Sequence, residues 1–377
     1  MLHQFHPLTI SCLGTQRQLS SFHFGTPGSP AGKAYIQASL HADELPGMLT
    51  AWELKQALRQ LDEQGKVIGE IILVPQANPI GQAQSIQGYQ MGRFDLASGQ
   101  NFNRHYPQLT TAVYAAVKSQ LGPDAKANTA LIRAAIRQHL AQLNPPNELA
   151  SLRKTLMQLA ADADIVLDLH CDCNAALHVY TGTPLWEQCE PLARYLQSHA
   201  QLLATESGDY PFDEACSQTW WELQALCQQD GLDFPIDMAC LSVTVELRGQ
   251  HHVSKTLAQQ DAAAILDFLR YRGLLHTDTL PALPELPYPA TPLAGSENLI
   301  APHPGVVSFL VAPGTVVTAG QPVAEVIDPL QDKVTVLSSR HGGMLYAHEL
   351  HPYATAGMSV AKVATAEAFK TGKLLSA

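Results

Sequence analysis

Apolar residues recur along this chain with two alternating periods. Lys33 to Leu40 is a compact apolar run that reads as a strand ending at His41. From Met48 to about Gln64, the residues Leu49, Trp52, Leu54, Ala57, Leu58 and Leu61 fall at helical spacing behind Pro46-Gly47, and Gly65 stops them. Ile71-Ile72-Leu73-Val74 is apolar on both faces, as suits a strand covered from two sides. The alternation continues with helices near Asn128–Leu143 and Glu148–Asp162, strands Ile165–Leu169 and Leu177–Tyr180, a helix around Leu185–His199, a strand Leu241–Glu246 and a helix Lys255–Arg270. This order predicts an α/β fold, a mixed and mostly parallel sheet with helices on both faces. Residues 1–30 read as short strands and turns. Asn78 to Pro107 has little periodicity and is rich in Gln, Gly and Asn. A long irregular stretch in a compact domain usually serves function when it is ordered.

The pattern changes after Leu275. Pro281, Pro284, Pro287, Pro289 and Pro292 mark a stiff, extended linker over 276–294. Beyond it, Val306-Val307, Thr315–Val317, Pro322–Val326, Lys333–Val336 and Met344–Tyr346 are short strands punctuated by Gly. They predict a small all-β, barrel-like domain over 295–377, after a catalytic domain over 1–275. This β domain carries a faint internal duplication and resembles a biotinyl/lipoyl carrier barrel. Lys333, in Asp332-Lys333-Val334, sits near where such a barrel presents its modified lysine, but closer to Gly342-Gly343 than that hairpin requires.

Composition narrows the function classes. Of 377 residues, 46% are hydrophobic, which excludes a disordered chain. The formal net charge of -11, with no dense Lys/Arg block, argues against nucleic-acid and polybasic membrane binding. Seven cysteines, an odd number scattered over a long chain, do not suggest a disulfide scaffold. Met1-Leu2-His3-Gln4-Phe5 lacks the basic start of a secretion signal, and no run approaches the roughly 18 apolar residues of a membrane span. The expectation is a cytoplasmic protein acting on a small molecule, with assembly into a homo-oligomer left open.

Candidate chemistry lies at predicted strand ends. His41-Ala42-Asp43-Glu44 follows one strand and opens a helix, and Asp168-Leu169-His170 closes another. His41, Glu44 and His170 together are two imidazoles and one carboxylate, the set that holds a catalytic zinc while leaving its fourth position open. Open α/β sheets place ligands at this edge. Each residue alone also suits an ordinary loop or core role. Glu246 ends an apolar strand, where a carboxylate is costly to bury without a task or a partner. It reads either as a general base or as the partner of Arg248. Arg93 and the run Asn101-Phe102-Asn103-Arg104 lie in the irregular stretch. Arg93 suits an oxyanion, while Asn103 and Arg104 suit a substrate carboxylate; the alternative is a solvated loop. Asp168 shares a strand face with His170 and reads as its orienting carboxylate or as a structural residue. Cys171, Cys173 and Tyr180 read as packing or pocket-wall residues.

The residues His41-x-x-Glu44, Asn78-Pro79, Arg93, Asn103-Arg104, Asp168-Leu169-His170 and Thr244-Val245-Glu246, in this order over 33–250, resemble the succinylglutamate desuccinylase/aspartoacylase family, which is itself similar to the zinc carboxypeptidases. The resemblance implies a zinc-dependent amidohydrolase that removes N-acyl groups from amino acids. On it His41, Glu44 and His170 are the Zn2+ ligands, Glu246 is the base, Arg93 polarises the carbonyl, and Asn103 and Arg104 grip the amino-acid carboxylate. Leu247-Arg248 stands where that family more often has a Gly-rich turn, and Arg93 and Asn103 are spaced a little wide. Arg248 is thereby a candidate for a second substrate carboxylate. Two other readings compete: a zinc carboxypeptidase acting on peptides, and a non-catalytic binding module.

Overall fold

In the computed structural model residues 1–375 are described, so the final residues 376–377 of the expected β domain lie outside the described residues. The large mixed sheet runs, edge to edge, Leu2–Pro7, Gln18–Gly25, Glu70–Val74, Lys33–Ala38, Ile165–Asp172, Leu241–Gly249, His178–Gly182, Ala200–Ala204 and Thr291–Pro292. Its central strands Glu70–Val74, Lys33–Ala38, Ile165–Asp172 and Leu241–Gly249 are parallel. Such strands need cover on both faces. Helices Ala125–Gln142, Glu148–Ala160 and Phe212–Gln229 cover one face around Trp220, Phe212 and Tyr35. Helices Leu45–Glu63, Trp186–Tyr195 and Lys255–Tyr271 cover the other around Leu54, Leu58, Phe268 and Ile265. No helix among the described residues is long and apolar enough to cross a membrane.

Several expectations shift. The first helix begins at Leu45 and not at Met48, because Pro46 suits a first turn, where a missing N–H costs nothing. The strand at His178–Gly182 runs antiparallel to Leu241–Gly249. The expected helix around Leu185–His199 stops at Tyr195, and Ala200–Ala204 is a strand beside His178–Gly182. Helices Thr110–Val117 and Phe212–Gln229 stand where no element was expected. The second shows helical burial at Phe212, Ala215, Cys216, Thr219, Trp220, Leu223 and Cys227, a stripe that Thr and Cys disguise.

The proline-rich stretch is extended but not a free spacer. Arg194 Nε donates to Pro284 O at 2.5 Å, Tyr195 Oη donates to Pro281 O at 3.1 Å, and Thr291–Pro292 pairs with Ala200–Ala204 as the outermost strand of the sheet. Beyond it, two antiparallel sheets enclose Leu299, Val307, Val323, Val326, Leu345 and Val363. One of them continues into the catalytic part of the chain, because Asn174–Ala175 pairs with Gly343–His348.

Gly47 shows how tightly the first helix is seated. It packs on the strand that carries His170, and a Cβ there would stand 2.6 Å from Leu169 O. Gly47→Ala is therefore expected to cost about 1–3 kcal/mol by overpacking. Gly122→Ala, with nothing within 4 Å of its Cβ, serves as the control and should shift thermal unfolding far less.

Candidate metal and catalytic site

Register builds half of the site. In the parallel sheet Gln37 is level with Asp168, Asp168 with Thr244, and His170 with Glu246. Level residues on parallel neighbours face the same way, and residues two apart share a face. A buried polar ladder follows. Tyr35 Oη donates to Gln37 Oε1 at 2.8 Å, Gln37 Nε2 donates to Asp168 Oδ1 at 3.0 Å, and Asp168 Oδ2 stands 2.9 Å from His170 Nε2. Glu246 sits beside His170 at the top of this ladder.

A tight turn builds the other half. After Lys33–Ala38 the chain turns through Ser39 in the left-handed region, at φ 58°, and Glu44 N donates to His41 O at 3.1 Å. Asn78 pins the turn, donating to Leu40 O and accepting from Gly81 N, both at 2.8 Å. Gly92 lies flat on it. Its carbonyl accepts from Ala42 N at 3.0 Å, and a Cβ at Gly92 would meet Asp43 N at 2.2 Å. That close approach delivers the next residue, Arg93, to the turn.

The two halves meet at Glu44. Its Oε1 is 2.8 Å from His41 Nδ1, its Oε2 is 2.8 Å from His170 Nδ1, and Oε2 accepts from Cys171 N at 3.0 Å. All three side chains are buried. The far nitrogens face acceptors. His41 Nε2 is 2.8 Å from Asn101 Oδ1, an oxygen identified by the Asn103 N–H that it also accepts at 2.8 Å. Asp168 plays the same part for His170. With hydrogen on both Nε2 atoms, two Nδ1 lone pairs and a carboxylate face one another, which is stable only around a cation. Burial disfavours charge on His170, but the carboxylates of Asp168 and Glu44 hold its pKa well above the usual histidine value. Burial and then Arg93 push His41 down to about 4, while Glu44, despite its burial, is held well below the usual carboxylate range by the two histidines. This donor set fits a divalent ion, which His41, Glu44 and His170 would hold. Ligand atoms of His41, Glu44 and His170 lie within 4.8 Å of one another, and among the described residues no other His, Cys, Asp or Glu group converges so. Cys171 and Cys173 stay outside it, with burial lifting the Cys173 thiol to about 12.

One cavity beside the cluster is lined by Arg93, Asn103, Arg104, Tyr180 and Glu246. The Arg93 guanidinium stands 3.3 Å from Glu44 Oε1. Glu246 has a buried Oε2 with no hydrogen-bond partner. Burial, then the Glu44 charge, raises its pKa to about 8. Asn103 Oδ1 is used by Phe212 N at 2.8 Å, which leaves its amide NH2 for a ligand. Arg248 is a correction. It does not face this cavity and is not paired with Glu246. The strand bulges between Glu246 and Gly249, Arg248 takes φ 65°, and its guanidinium turns away to pair with Asp261 of helix Lys255–Tyr271. The bulge breaks the alternation that would have put Arg248 on the Glu246 face.

Four other residues contribute to the cluster and cavity, Asn101 named in the sequence only as part of its run and three that did not stand out there. Asn101 orients His41. Asp213 and Glu214 open helix Phe212–Gln229 onto the cavity, and Lys362 reaches it from the β domain, pairing with Asp172 at 2.7 Å. The helical stripe after Pro211 that carries the acidic pair is diluted by buried Cys, Thr and Gln, and nothing local announces Lys362.

Asn101→Ala removes the acceptor for His41 Nε2 and is expected to weaken divalent-metal binding at the cluster about 10–100-fold, read by chelator competition. Arg248→Ala strands the Asp261 carboxylate. It should cost about 2–3 kcal/mol in denaturant unfolding, short of the roughly 3–5 for a fully buried pair because Arg248 retains 19% exposure.

Comparison with known proteins agrees with this architecture. The sequence profile of the succinylglutamate desuccinylase/aspartoacylase catalytic domain matches residues 30–272. The chain is similar to a solved family protein of Shewanella amazonensis SB2B at 26% identity and TM-score 0.83, over 97% of this chain and 99% of that one. It is similar to another from Shewanella frigidimarina NCIMB 400 at 24% identity and TM-score 0.83, covering 97% of each chain. The ectoine utilization protein EutE (DoeB) of Ruegeria pomeroyi shares the fold at 15% identity and TM-score 0.65, over 97% of this chain and 94% of that one. No curated protein matches. With the profile spanning the strand ends that carry His41, Glu44, His170 and Glu246, the chain belongs to the succinylglutamate desuccinylase/aspartoacylase family.

Proposed function

We propose that this chain is a zinc-dependent amidohydrolase that removes the N-acyl group from an N-acylated amino acid or a similar small carboxylate. The observation that carries this reading is Glu246, a half-buried residue whose Oε2 is buried and has no hydrogen-bond partner, held level with His170 at the rim of the cluster. His41, Glu44 and His170 would hold the zinc, which when bound supplies Lewis acidity and makes water a competent nucleophile near neutral pH. A cation there offsets the Glu44 charge that helps to raise Glu246, and so moves its pKa toward the range of a working base. Glu246 then takes a proton from the attacking water and returns it to the departing nitrogen. Arg93, beside Glu44, stabilises the charge that develops on the amide oxygen. Arg104 and the Asn103 amide bind the carboxylate of the amino-acid part.

The cavity is lined in part by Leu293, Lys362 and Leu375, residues that follow the last strand of the large sheet. A wall supplied from the far end of the chain suits a small acyl amino acid better than a peptide continuing in both directions. Hydrolysis of N-acetyl, N-succinyl and N-formyl amino acids with added zinc, and not of peptides, is the expected result; cleavage of peptides instead would favour a carboxypeptidase. Glu246→Gln should keep its zinc, measured by elemental analysis, and lose about 10²–10⁴-fold in kcat. Full turnover in that variant would remove Glu246 from the mechanism.

A further inference from the structure

Helix Phe212–Gln229 opens onto the cavity with two adjacent acids. Asp213 and Glu214 are each only 9% exposed, and both line the cavity that holds Arg104 and Glu246. Glu214 Oε1 accepts from Ser207 N at 2.6 Å, while its Oε2 is buried with no hydrogen-bond partner. Asp213 is reached by the backbone N–H of Glu214 and has no side-chain hydrogen bond or ion pair among the described residues. A buried carboxylate without a counter-charge is costly, so such groups are ordinarily paired. The cost shows in both. Burial and then nearby Asp168 lift Asp213 to about 6, and burial and then Asp213 lift Glu214 to about 8.

Charge around this corner does not balance once a ligand enters. Arg104 faces Asp209, Asp213 and Glu214; His170 also faces Asp213 but is held between Glu44 and Asp168, Lys362 in the same cavity is paired with Asp172, and Asp209 is engaged by Lys373. If Arg104 takes up a substrate carboxylate, as the proposed function holds, the two acids of the helix lose what compensation it gave them. A positive charge carried by the same ligand restores it. We infer that Asp213 and Glu214 form a cation subsite, and that the substrate is an N-acylated amino acid whose side chain carries a protonated amine or guanidinium. This deepens the hydrolase reading and rests on it for the reaction, though not for the binding.

The test compares Nα-acyl derivatives of lysine and ornithine with those of norleucine and glutamate, each as N-acetyl and N-succinyl, using the zinc-loaded enzyme. In parallel, calorimetry measures binding of free L-ornithine and L-norleucine. A charged hydrogen-bonded contact of this kind corresponds to about a 10–100-fold preference in kcat/KM for the basic derivatives over norleucine. Asp213→Asn should collapse that ratio, and Glu214→Gln provides the same readout should the first variant fail to fold. Norleucine or glutamate derivatives cleaved as well as the basic ones would overturn the cation subsite and leave the hydrolase standing. If no derivative is cleaved, the hydrolase reading falls, and the calorimetry decides the subsite alone: tighter L-ornithine supports it, and equal or absent binding overturns it.

Discussion

The site depends on one carboxylate. Glu44 is buried between two imidazoles and gives one oxygen to each, and every nearby element is placed to keep it there. The first helix starts at the next residue, Gly47 lets that helix press on the neighbouring strand, and Asn78 and Gly92 clamp the turn from two sides. A buried anion held between two imidazoles and a backbone N–H is stable only while all three stay in position. The cluster is therefore a structural keystone as well as a ligand set, because the carboxylate that would help to hold an ion also ties the turn at His41 to the strand at His170.

The sheet extends that constraint downward. Tyr35, Gln37, Asp168 and His170 form one buried file, hydrogen-bonded from Tyr35 to Asp168 and closed by the ion-pair contact of Asp168 with His170. Polar files in an apolar core are high-stakes features, since any gap leaves a donor or acceptor dry. Here the file ends at the imidazole whose far nitrogen must be protonated for the near one to serve as a ligand. Preorganisation is thus spread over two strands and about three residues' depth of sheet, and does not rest on the residues at the rim alone.

Much of this was legible in the sequence because strand ends announce themselves. An apolar run broken by His41, and another closed by Asp168-Leu169-His170, locate a ligand edge without any tertiary information, and the structure brings both to Glu44. Arg248 shows where that logic stops. Strict alternation puts it beside Glu246, but a bulge resets the phase, and a bulge has no clear signature in Leu247-Arg248-Gly249. Asp213 and Glu214 were hidden for a different reason. Their helix buries Cys, Thr and Gln alongside its aromatics, so its apolar period is diluted. Lys362 lies 190 residues beyond its partner Asp172, and only the packing of the β domain brings the two together.

Both outermost strands of the large sheet carry a proline, Pro7 at one side and Pro292 at the other. Proline has no amide hydrogen to offer an incoming strand, so each boundary is a poor template for further pairing. The segment that closes the second boundary is the stretch that joins the two parts of the chain. The connector therefore doubles as a guard against aggregation. Cutting the protein just before it would leave Ala200–Ala204 bare, a row of unpaired backbone groups at the border of an apolar sheet.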